Sequence, residues 1–427
     1  MANKLTYTMK FFSTIIMFLS AVSMAAAQGD LHYKAYERIC YVNNPIDTNT
    51  QCMSIFAPAN AKDDSPILLK TYTTDFRSAT PQQPSADDET ILALQNGIVV
   101  CVVGCRGHNS LAINTRESTE PVKKKKKKKK ATVETDVEYC GKLPAPLIDL
   151  KAAVRYLRAN DATLPGSSEK IIATGYMAGG GLAALLGATA NNPIYADALK
   201  QLGAADVSDQ IYGVACFAPL ANPMDAAQSG EWLMDGKGNF PNFIRSLALL
   251  IPETEAPLNA NTYRNYLKDI IFNSAREAMD GGAQISEDMG TVYYKDSKNF
   301  DDDEYLIDIN LNTYINYIRT LAYKNGYKNY YNTLAIKAYG NQSAADYAQR
   351  VLQMNISEKI TPQNLSMSKK WFIRHGTLDA TVPITESITL MAMVSNLGID
   401  VNFAAPWGVA NSRDYNMAEL VEWIKGL

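Results

Sequence analysis

Short apolar runs alternate with helical patterns along the first half of the chain. The apolar runs predict buried β-strands at residues 53–56, 67–72, 98–103, 170–174 and 211–217. Between the third and fourth runs, Leu147, Leu150, Val154 and Leu157 follow a helical spacing, and a second helix is predicted after Gly179. Because strands that alternate with helices form βαβ units, the pattern predicts an α/β fold with a mostly parallel sheet flanked by helices.

The same alternation returns near the C-terminus, after a long stretch of different character. Strands are predicted at 371–375 and 401–405, and helices at 384–397 and 417–424. From residue 221 to 365, tyrosine, asparagine and acidic residues dominate, which we interpret as an inserted, mainly helical lid. The predicted core therefore consists of residues 28–220 and 366–427, and both parts contribute to one sheet.

The N-terminus has the pattern of a secretory signal peptide. Lys4 and Lys10 precede a largely apolar stretch, and Ala25 and Ala27 form an A-x-A cleavage pattern. An uncleaved anchor is the alternative, but the apolar stretch is shorter than the about 20 residues that span a bilayer. We predict a signal peptide over residues 1–27, a secreted or periplasmic mature protein, and no membrane span after cleavage.

Composition and charge change this picture in one place. With 47% hydrophobic and 20% charged residues, the chain is an ordinary globular protein. Of its 41 basic residues, eight form the run from Lys123 to Lys130, which leaves 33 against 44 acidic residues. We interpret the run as a solvated surface loop, and the alternative is contact with an anionic surface. Because no aromatic residues interleave the lysines, we expect no nucleic-acid partner.

The six cysteines indicate no metal site. Cys101 and Cys216 lie within apolar runs, where cysteine usually behaves as a small buried hydrophobe. The spacing of the cysteines fits no zinc motif, and we predict neither a metal nor a cofactor. In an oxidising compartment six cysteines allow 15 pairings, among which we mildly prefer Cys40 with Cys52.

Residues 171–182 place a strand, a glycine-flanked turn and a helix in succession. This is the position of the G-x-S-x-G nucleophile elbow, and Gly175 and Gly179 supply its glycines. Met177 occupies the nucleophile position, where a thioether cannot give up a proton or form a stable acyl adduct. A dinucleotide-binding turn at Gly179 is a weaker alternative, because the preceding apolar run ends several residues too early.

Several motifs together resemble one known family. They are CMSIFAP at 52–58, GCRGHNS at 104–110, the segment 141–158, the elbow, and the segments 203–206, 231–232, 374–379 and 406–407. On these motifs the chain resembles the tannase and feruloyl-esterase-like serine esterases of the α/β-hydrolase fold, tannase subtype B in particular. The resemblance spans most of the mature chain and implies an α/β-hydrolase fold with a carboxylic ester hydrolase scaffold.

The resemblance also implies roles for individual positions. Met177 stands at the nucleophile position and Asn411 at the position of the basic histidine, so both are substituted, whereas Asp379 keeps the acid. The oxyanion donors implied by the family are Cys105 and Arg106, in the loop after the third predicted strand, together with Ala178. Thr381 replaces a family aspartate expected to hold phenolic hydroxyls, which argues against galloyl recognition in the family's way.

Substitute catalytic groups are few, because the chain has only three histidines. Cys105 with His108 is the one replacement dyad we consider, and His375 is interpreted as a residue that orders the acid loop. We therefore predict a catalytically impaired esterase homologue that binds a phenolic ester or glycoconjugate. The alternatives are an active ester hydrolase using Cys105, and a non-catalytic surface-binding protein acting through the lysine run.

Overall fold

The computed structural model describes residues 22–26, 32–84, 90–113, 137–236, 239–295, 304–324, 329–340, 343–410 and 415–427. The lysine run and Asn411 lie outside these residues, as does most of the predicted signal peptide. Residues 22–26, inside that predicted peptide, pair antiparallel with residues 32–36. Cleavage after residue 27 stays a prediction.

The described residues form thirteen strands, nine of which make up a central sheet. The strands are β1 Val22–Ala26, β2 His32–Cys40, β3 Cys52–Pro58, β4 Ile67–Lys70, β5 Val99–Val103, β6 Leu111–Ile113, β7 Val137–Tyr139, β8 Ile171–Tyr176, β9 Gly213–Phe217, β10 Thr291–Lys295, β11 Glu304–Ile309, β12 Lys370–Arg374 and β13 Val401–Ala404. The order in the central sheet is β1-β2-β3-β5-β4-β8-β9-β12-β13, and β6–β7 and β10–β11 are separate hairpins.

The central sheet is mostly parallel, as the sequence predicts. From β5 to β13 all neighbouring strands are parallel, whereas β1, β2 and β3 join antiparallel. Every residue of β3, β4, β5, β8 and β9 is buried, which explains why these strands appear as continuous apolar runs. All seven predicted strands are confirmed to within two residues at each end.

Twelve α-helices are described, and those of the core cover both faces of the sheet. They are α1 Thr90–Gln95, α2 Ala145–Ala159, α3 Ala178–Ala188, α4 Ala196–Gln201, α5 Pro223–Leu233, α6 Asn242–Ser246, α7 Ala260–Asp280, α8 Leu311–Lys324, α9 Tyr330–Tyr339, α10 Ala344–Met354, α11 Ile384–Ser395 and α12 Met417–Lys425. All eleven residues of α3 are buried. Within the described ranges, no helix has both the length and the apolar character needed to cross a bilayer.

β9 and β12 are parallel neighbours in the sheet, so the segment between them leaves the sheet and returns to it. It contains helices α5 to α10 and the hairpin β10–β11, so it is mainly helical with one small sheet. Tyr263 of α7 donates to the Thr385 carbonyl at 3.0 Å, and Tyr314 of α8 donates to the Thr377 carbonyl at 2.8 Å. The segment is thus packed on the core. Its role as a lid stays a prediction.

The preferred cysteine pairing is wrong for this structure, in which all six cysteines are free thiols. Cys40 and Cys52 are partners in the β2–β3 register. However, the Cys40 thiol donates to the Val42 carbonyl at 3.2 Å and the Cys52 thiol to the Asn49 carbonyl at 3.4 Å. Each thiol therefore donates to a carbonyl of the loop between β2 and β3.

Candidate active site

The turn between β8 and α3 has the strained backbone of a nucleophile elbow. Met177 separates the strand from the helix with a φ of 49° and a ψ of −120°, a conformation that costs a non-glycine residue about 1–3 kcal/mol. A Cβ on Gly175 would lie 2.4 Å from the carbonyl carbon of Gly179. A Cβ on Gly179 would lie 3.0 Å from the carbonyl oxygens of Thr71 and Thr73. Glycine is therefore required at residue 175, and a side chain at residue 179 would need the neighbouring backbone to shift.

Met177 belongs to the apolar core, with only 4% of its surface exposed. Its N–H donates to the Phe217 carbonyl at 3.1 Å, and its carbonyl accepts from the N–H groups of Gly181 and Leu220 at 2.8 and 2.9 Å. An elbow normally presents its nucleophile at the top of the sheet. Here the residue at the tip of the elbow has a buried thioether side chain. Its backbone N–H and its carbonyl both form hydrogen bonds within the fold.

The N–H groups at the start of α3 already have acceptors. The N–H of Ala178 donates to the Thr74 carbonyl at 3.0 Å, and that of Gly179 donates to the Thr73 carbonyl at 2.9 Å. An oxyanion hole needs N–H groups that point at the position of the developing charge. In this conformation the loop after β4 occupies that position with its own carbonyl oxygens.

The other two predicted oxyanion donors are also engaged. The N–H of Cys105 donates to the Ala79 carbonyl at 3.0 Å, and that of Arg106 donates to Asp149 Oδ2 at 2.8 Å. In the sheet, β4 and not β5 is the neighbour of β8, so the loop after β4 lies against the elbow. The role of Cys105 and Arg106 stays a prediction that the described conformation does not favour.

Asp379 is held without an imidazole. Its Oδ1 accepts the N–H groups of Thr381 and Val382 at 2.7 and 3.1 Å, and its Oδ2 accepts the hydroxyl of Tyr176 at 3.1 Å. Burial, followed by the nearby Asp379 charge, raises the pKa of Tyr176 above that of an ordinary phenol. The phenol therefore remains protonated and acts as a donor.

The segment that leads to the base position packs against the acid turn. The N–H of Gly408 donates to Thr377 Oγ1 at 2.9 Å, and the N–H of Leu378 donates to the Val409 carbonyl at 2.8 Å. Asn411 itself lies outside the described residues. Val409, two residues before the predicted base position, therefore lies beside the turn that carries Asp379.

His375 is a buried side chain that directly follows β12. Its Nδ1 lies 2.8 Å from Ser387 Oγ. Its backbone N–H donates to the Ala404 carbonyl at 3.1 Å. Nε2 has no hydrogen-bond partner within the described ranges. Burial lowers the pKa of the ring. These contacts tie His375 to α11 and β13.

The environment of the predicted Cys105/His108 dyad disfavours a thiolate. Cys105 is fully buried, its sulfur lies 3.7 Å from Thr71 Oγ1, and burial raises the pKa of the thiol to about 12. Burial and then the charge of Lys142 lower the pKa of His108, which disfavours an imidazolium. A catalytic cysteine needs a lowered pKa. The surroundings of Cys105 have the opposite effect.

A cleft rich in tyrosine adjoins the acid turn. Its empty volume is about 680 Å³, and it lies between α5, α8, the start of α9 and Ala380, the residue after Asp379. The hydroxyl of Tyr323 donates to Asp235, and that of Tyr330 donates to Asp75 in the loop after β4. We call this the tyrosine cleft, lined by Ala227, Gly230, Glu231, Met234, Asp235, Arg319, Ala322, Tyr323, Asn329, Tyr330, Tyr331, Asn332, Ala380 and Pro383.

Of the cleft residues, the sequence points to Glu231, which belongs to a family motif, and to Tyr330 and Tyr331, which are among the tyrosines of the inserted segment. Arg319 and Tyr323 carry no separate signal in the sequence. The described residues also contain no group of three or more histidine, cysteine or acidic side chains placed to hold a metal.

The strand order, the elbow and the acid turn define an α/β-hydrolase fold. The BD-FAE family model matches residues 93–229. The Fusobacterium nucleatum tannase is similar over 95% of this chain and 97% of its own, with 24% identity and a TM-score of 0.75. The tannin acyl hydrolase from Lactobacillus plantarum is similar over 95% and 96%, with 23% identity and a TM-score of 0.76.

A structure of tannin acyl hydrolase in complex with ethyl gallate also matches, with 22% identity, 95% and 96% coverage and a TM-score of 0.74. No curated protein sequence matches the chain. The protein therefore has the α/β-hydrolase fold of the tannases and is tannase-like in its architecture.

Proposed function

We propose that this protein is a non-hydrolytic homologue of the tannase-like esterases that binds a phenolic ester or glycoconjugate in the tyrosine cleft. The observation that carries the proposal is the elbow, where a buried Met177 replaces the nucleophile and the neighbouring Ala178 N–H donates to the Thr74 carbonyl. We further propose that the mature chain is secreted or periplasmic, on the strength of the signal-peptide pattern.

The changes at the elbow each lower the expected rate of hydrolysis, but their effects do not simply multiply. Loss of the nucleophile or of its base lowers the rate of a serine hydrolase by about 10⁶, and the losses overlap because the groups act as a unit. Loss of a single oxyanion donor lowers it by about 10²–10³. The engaged Ala178 N–H therefore removes part of the residual catalysis that would otherwise survive the change at Met177.

The tyrosine cleft has the groups that an aromatic ligand needs. Tyrosine rings offer apolar area to an aromatic ligand, and their hydroxyls, with Arg319 and Glu231, offer hydrogen bonds to its polar groups. The ligands named in the structures of similar tannin acyl hydrolases, ethyl gallate and 3,4-dihydroxybenzoate, provide suitable probes.

The test is calorimetric titration of the chain with ethyl gallate, methyl ferulate and 3,4-dihydroxybenzoate, with free acid measured in the same samples. We expect binding of at least one probe without release of acid, and weaker binding by Tyr331→Leu. Tyr317→Leu, on α8 but outside the cleft lining, is the matched control. No binding of any probe, or equal loss in both variants, contradicts the binding proposal.

The alternative of an active esterase makes a different prediction. If the natural chain releases acid and the release is lost in Cys105→Ala, Cys105 is the nucleophile and the non-hydrolytic assignment is wrong. The lysine run from Lys123 to Lys130 stays a predicted contact with anionic surfaces. That contact should weaken steeply with salt and disappear when the run is deleted.

A further inference from the structure

A second cleft lies between α2, α4 and α10 and shares no lining residue with the tyrosine cleft. Its empty volume is about 970 Å³. Three cationic side chains line it, Arg106, Lys142 and Arg350, against one acidic side chain, Asp346. We call it the cationic cleft.

One of these four charges is paired within the protein, and Asp346 is held by a hydroxyl group. Arg106 forms a buried ion pair with Asp149, with 2.8 Å between Nη2 and Oδ1. Asp346 Oδ2 accepts the hydroxyl of Ser343 at 2.8 Å, as part of the N-terminal cap of α10. Asp346 keeps its negative charge, which acts on Arg350, so the positive charge of the cleft comes from Lys142 and Arg350 and is partly offset by Asp346.

Lys142 and Arg350 have no carboxylate within ion-pair distance in the described part of the chain. Lys142 Nζ donates to the Lys337 carbonyl at 2.6 Å, and Arg350 Nη1 donates to the Leu143 carbonyl at 3.2 Å. Partial burial, followed by repulsion from Arg350, lowers the pKa of Lys142. An anion between the two side chains would relieve this repulsion and accept charge-assisted hydrogen bonds.

The start of α2 adds to the positive potential. This 15-residue helix begins at Ala145, which lines the cleft, and it has neither an acidic residue in its first turn nor a capping side chain. The N-terminus of such a helix carries a positive partial charge.

The rest of the lining fits a sugar. Tyr139 is 55% exposed, and Lys142 Nζ lies 4.5 Å from its ring centroid. The amide side chains of Asn44, Gln201 and Gln349 also line the cleft. An exposed aromatic ring beside several amides offers both an apolar face and hydrogen bonds to hydroxyl groups.

We propose that the cationic cleft binds an acidic oligosaccharide, with the carboxylate of a uronic acid residue held by Lys142 and Arg350. This binding is independent of the tyrosine cleft and of the state of the elbow. It assigns the chain a contact with acidic glycans that does not involve the lysine run.

The test is calorimetric titration of the full chain with digalacturonate, its dimethyl ester, and inorganic phosphate. We expect digalacturonate to bind, and Lys142→Gln and Arg350→Gln each to weaken it by about tenfold, as the loss of a charge-assisted hydrogen bond predicts. Lys324→Gln, which removes the same charge from an exposed site outside the cleft, should bind like the natural chain. Thermal melting of each variant verifies that it is folded.

Three results with digalacturonate and its ester overturn the proposal. They are no binding of digalacturonate, binding that survives both substitutions in folded proteins, and equal binding of the uncharged ester. Phosphate binding as tight as that of digalacturonate would also overturn it, because the cleft would then recognise charge without the sugar.

Discussion

The hydroxyl of Tyr176 donates to Oδ2 of Asp379 at 3.1 Å. Tyr176 is the last residue of β8, directly before Met177, so the residue beside the elbow tip supplies a hydrogen bond to the predicted catalytic acid. With Thr381 and Val382 donating to Oδ1, both carboxylate oxygens are satisfied by residues of the fold itself. In the described part of the chain, the hydrogen bonds to Asp379 come from a phenol and two backbone N–H groups and not from a histidine.

Removal of that hydroxyl should destabilise the protein. Tyr176→Phe leaves a buried carboxylate with one donor fewer, and we expect the free energy of unfolding to fall by about 1–3 kcal/mol, measured by urea denaturation. Tyr212→Phe is the matched control, because its hydroxyl bonds only the terminal Leu427 carbonyl. Equal, small effects of the two substitutions would show that the contact with Asp379 contributes little.

The elbow glycines should be intolerant of a methyl group. Gly175→Ala places a Cβ 2.4 Å from a backbone carbon of Gly179, and we expect a loss of more than about 2 kcal/mol in the free energy of unfolding. At Gly230, within α5, the nearest atom to a new Cβ is Pro383 Cγ at 3.7 Å. Gly230→Ala should therefore be neutral or stabilising by up to about 1 kcal/mol. A stable Gly175→Ala protein would contradict the close approach of β8 and α3.

The stability of the protein should depend on pH through two carboxyl groups, one in the inserted segment and one in the core. Asp225 of α5 and Glu386 of α11 line one small cavity, and Ser229 donates to Glu386 at 2.9 Å. Burial raises the pKa of Asp225 to about 6, and burial with repulsion from Asp225 raises that of Glu386. Both carboxyls therefore favour the folded state when protonated, and the contribution of Asp225 is lost as the pH rises from about 4 through about 6.

Asp225→Asn mimics the protonated form. We expect its Tm to exceed that of the natural chain by about 2–4 °C at pH 8 and to differ little at pH 4. Asp269→Asn, at an exposed position in α7, serves as the control and should show no such pH dependence. An Asp225→Asn protein that gains no stability at pH 8 would contradict the raised pKa.

The thiols should differ widely in reactivity. Cys40 is exposed, whereas Cys101, Cys105 and Cys216 are buried and burial raises the pKa of each. Iodoacetamide at pH 8 should modify Cys40 in the folded protein and leave these three unmodified until the protein unfolds, as mass spectrometry of peptides would show. Labelling of Cys105 as fast as that of Cys40 would revive Cys105 as a nucleophile.

The sheet was predictable because its strands are buried on both faces and therefore appear as apolar runs. β2 was not predicted, since it contains exposed His32 and Lys34 and its pairing with β3 is irregular between Tyr36 and Ile39. The elbow was predictable from Gly175 and Gly179 because a side chain at either position comes too close to the neighbouring backbone, most severely at Gly175.

The surroundings of the elbow depend on neighbours that are distant in the chain. The contacts of the Ala178 N–H with Thr74 and of Asp379 with Tyr176 follow from the order of strands in the sheet. That order places β4 beside β8, and no local pattern of residues encodes it.

We propose that the scaffold of an esterase persists in this protein without its chemistry. The decisive experiment measures the hydrolysis of ethyl gallate and methyl ferulate by the natural chain beside the double variant Met177→Ser with Asn411→His. We predict no turnover by the natural chain and slow but measurable turnover by the double variant, limited by the engaged Ala178 N–H. Turnover by the natural chain at or above the rate of the double variant would contradict the account.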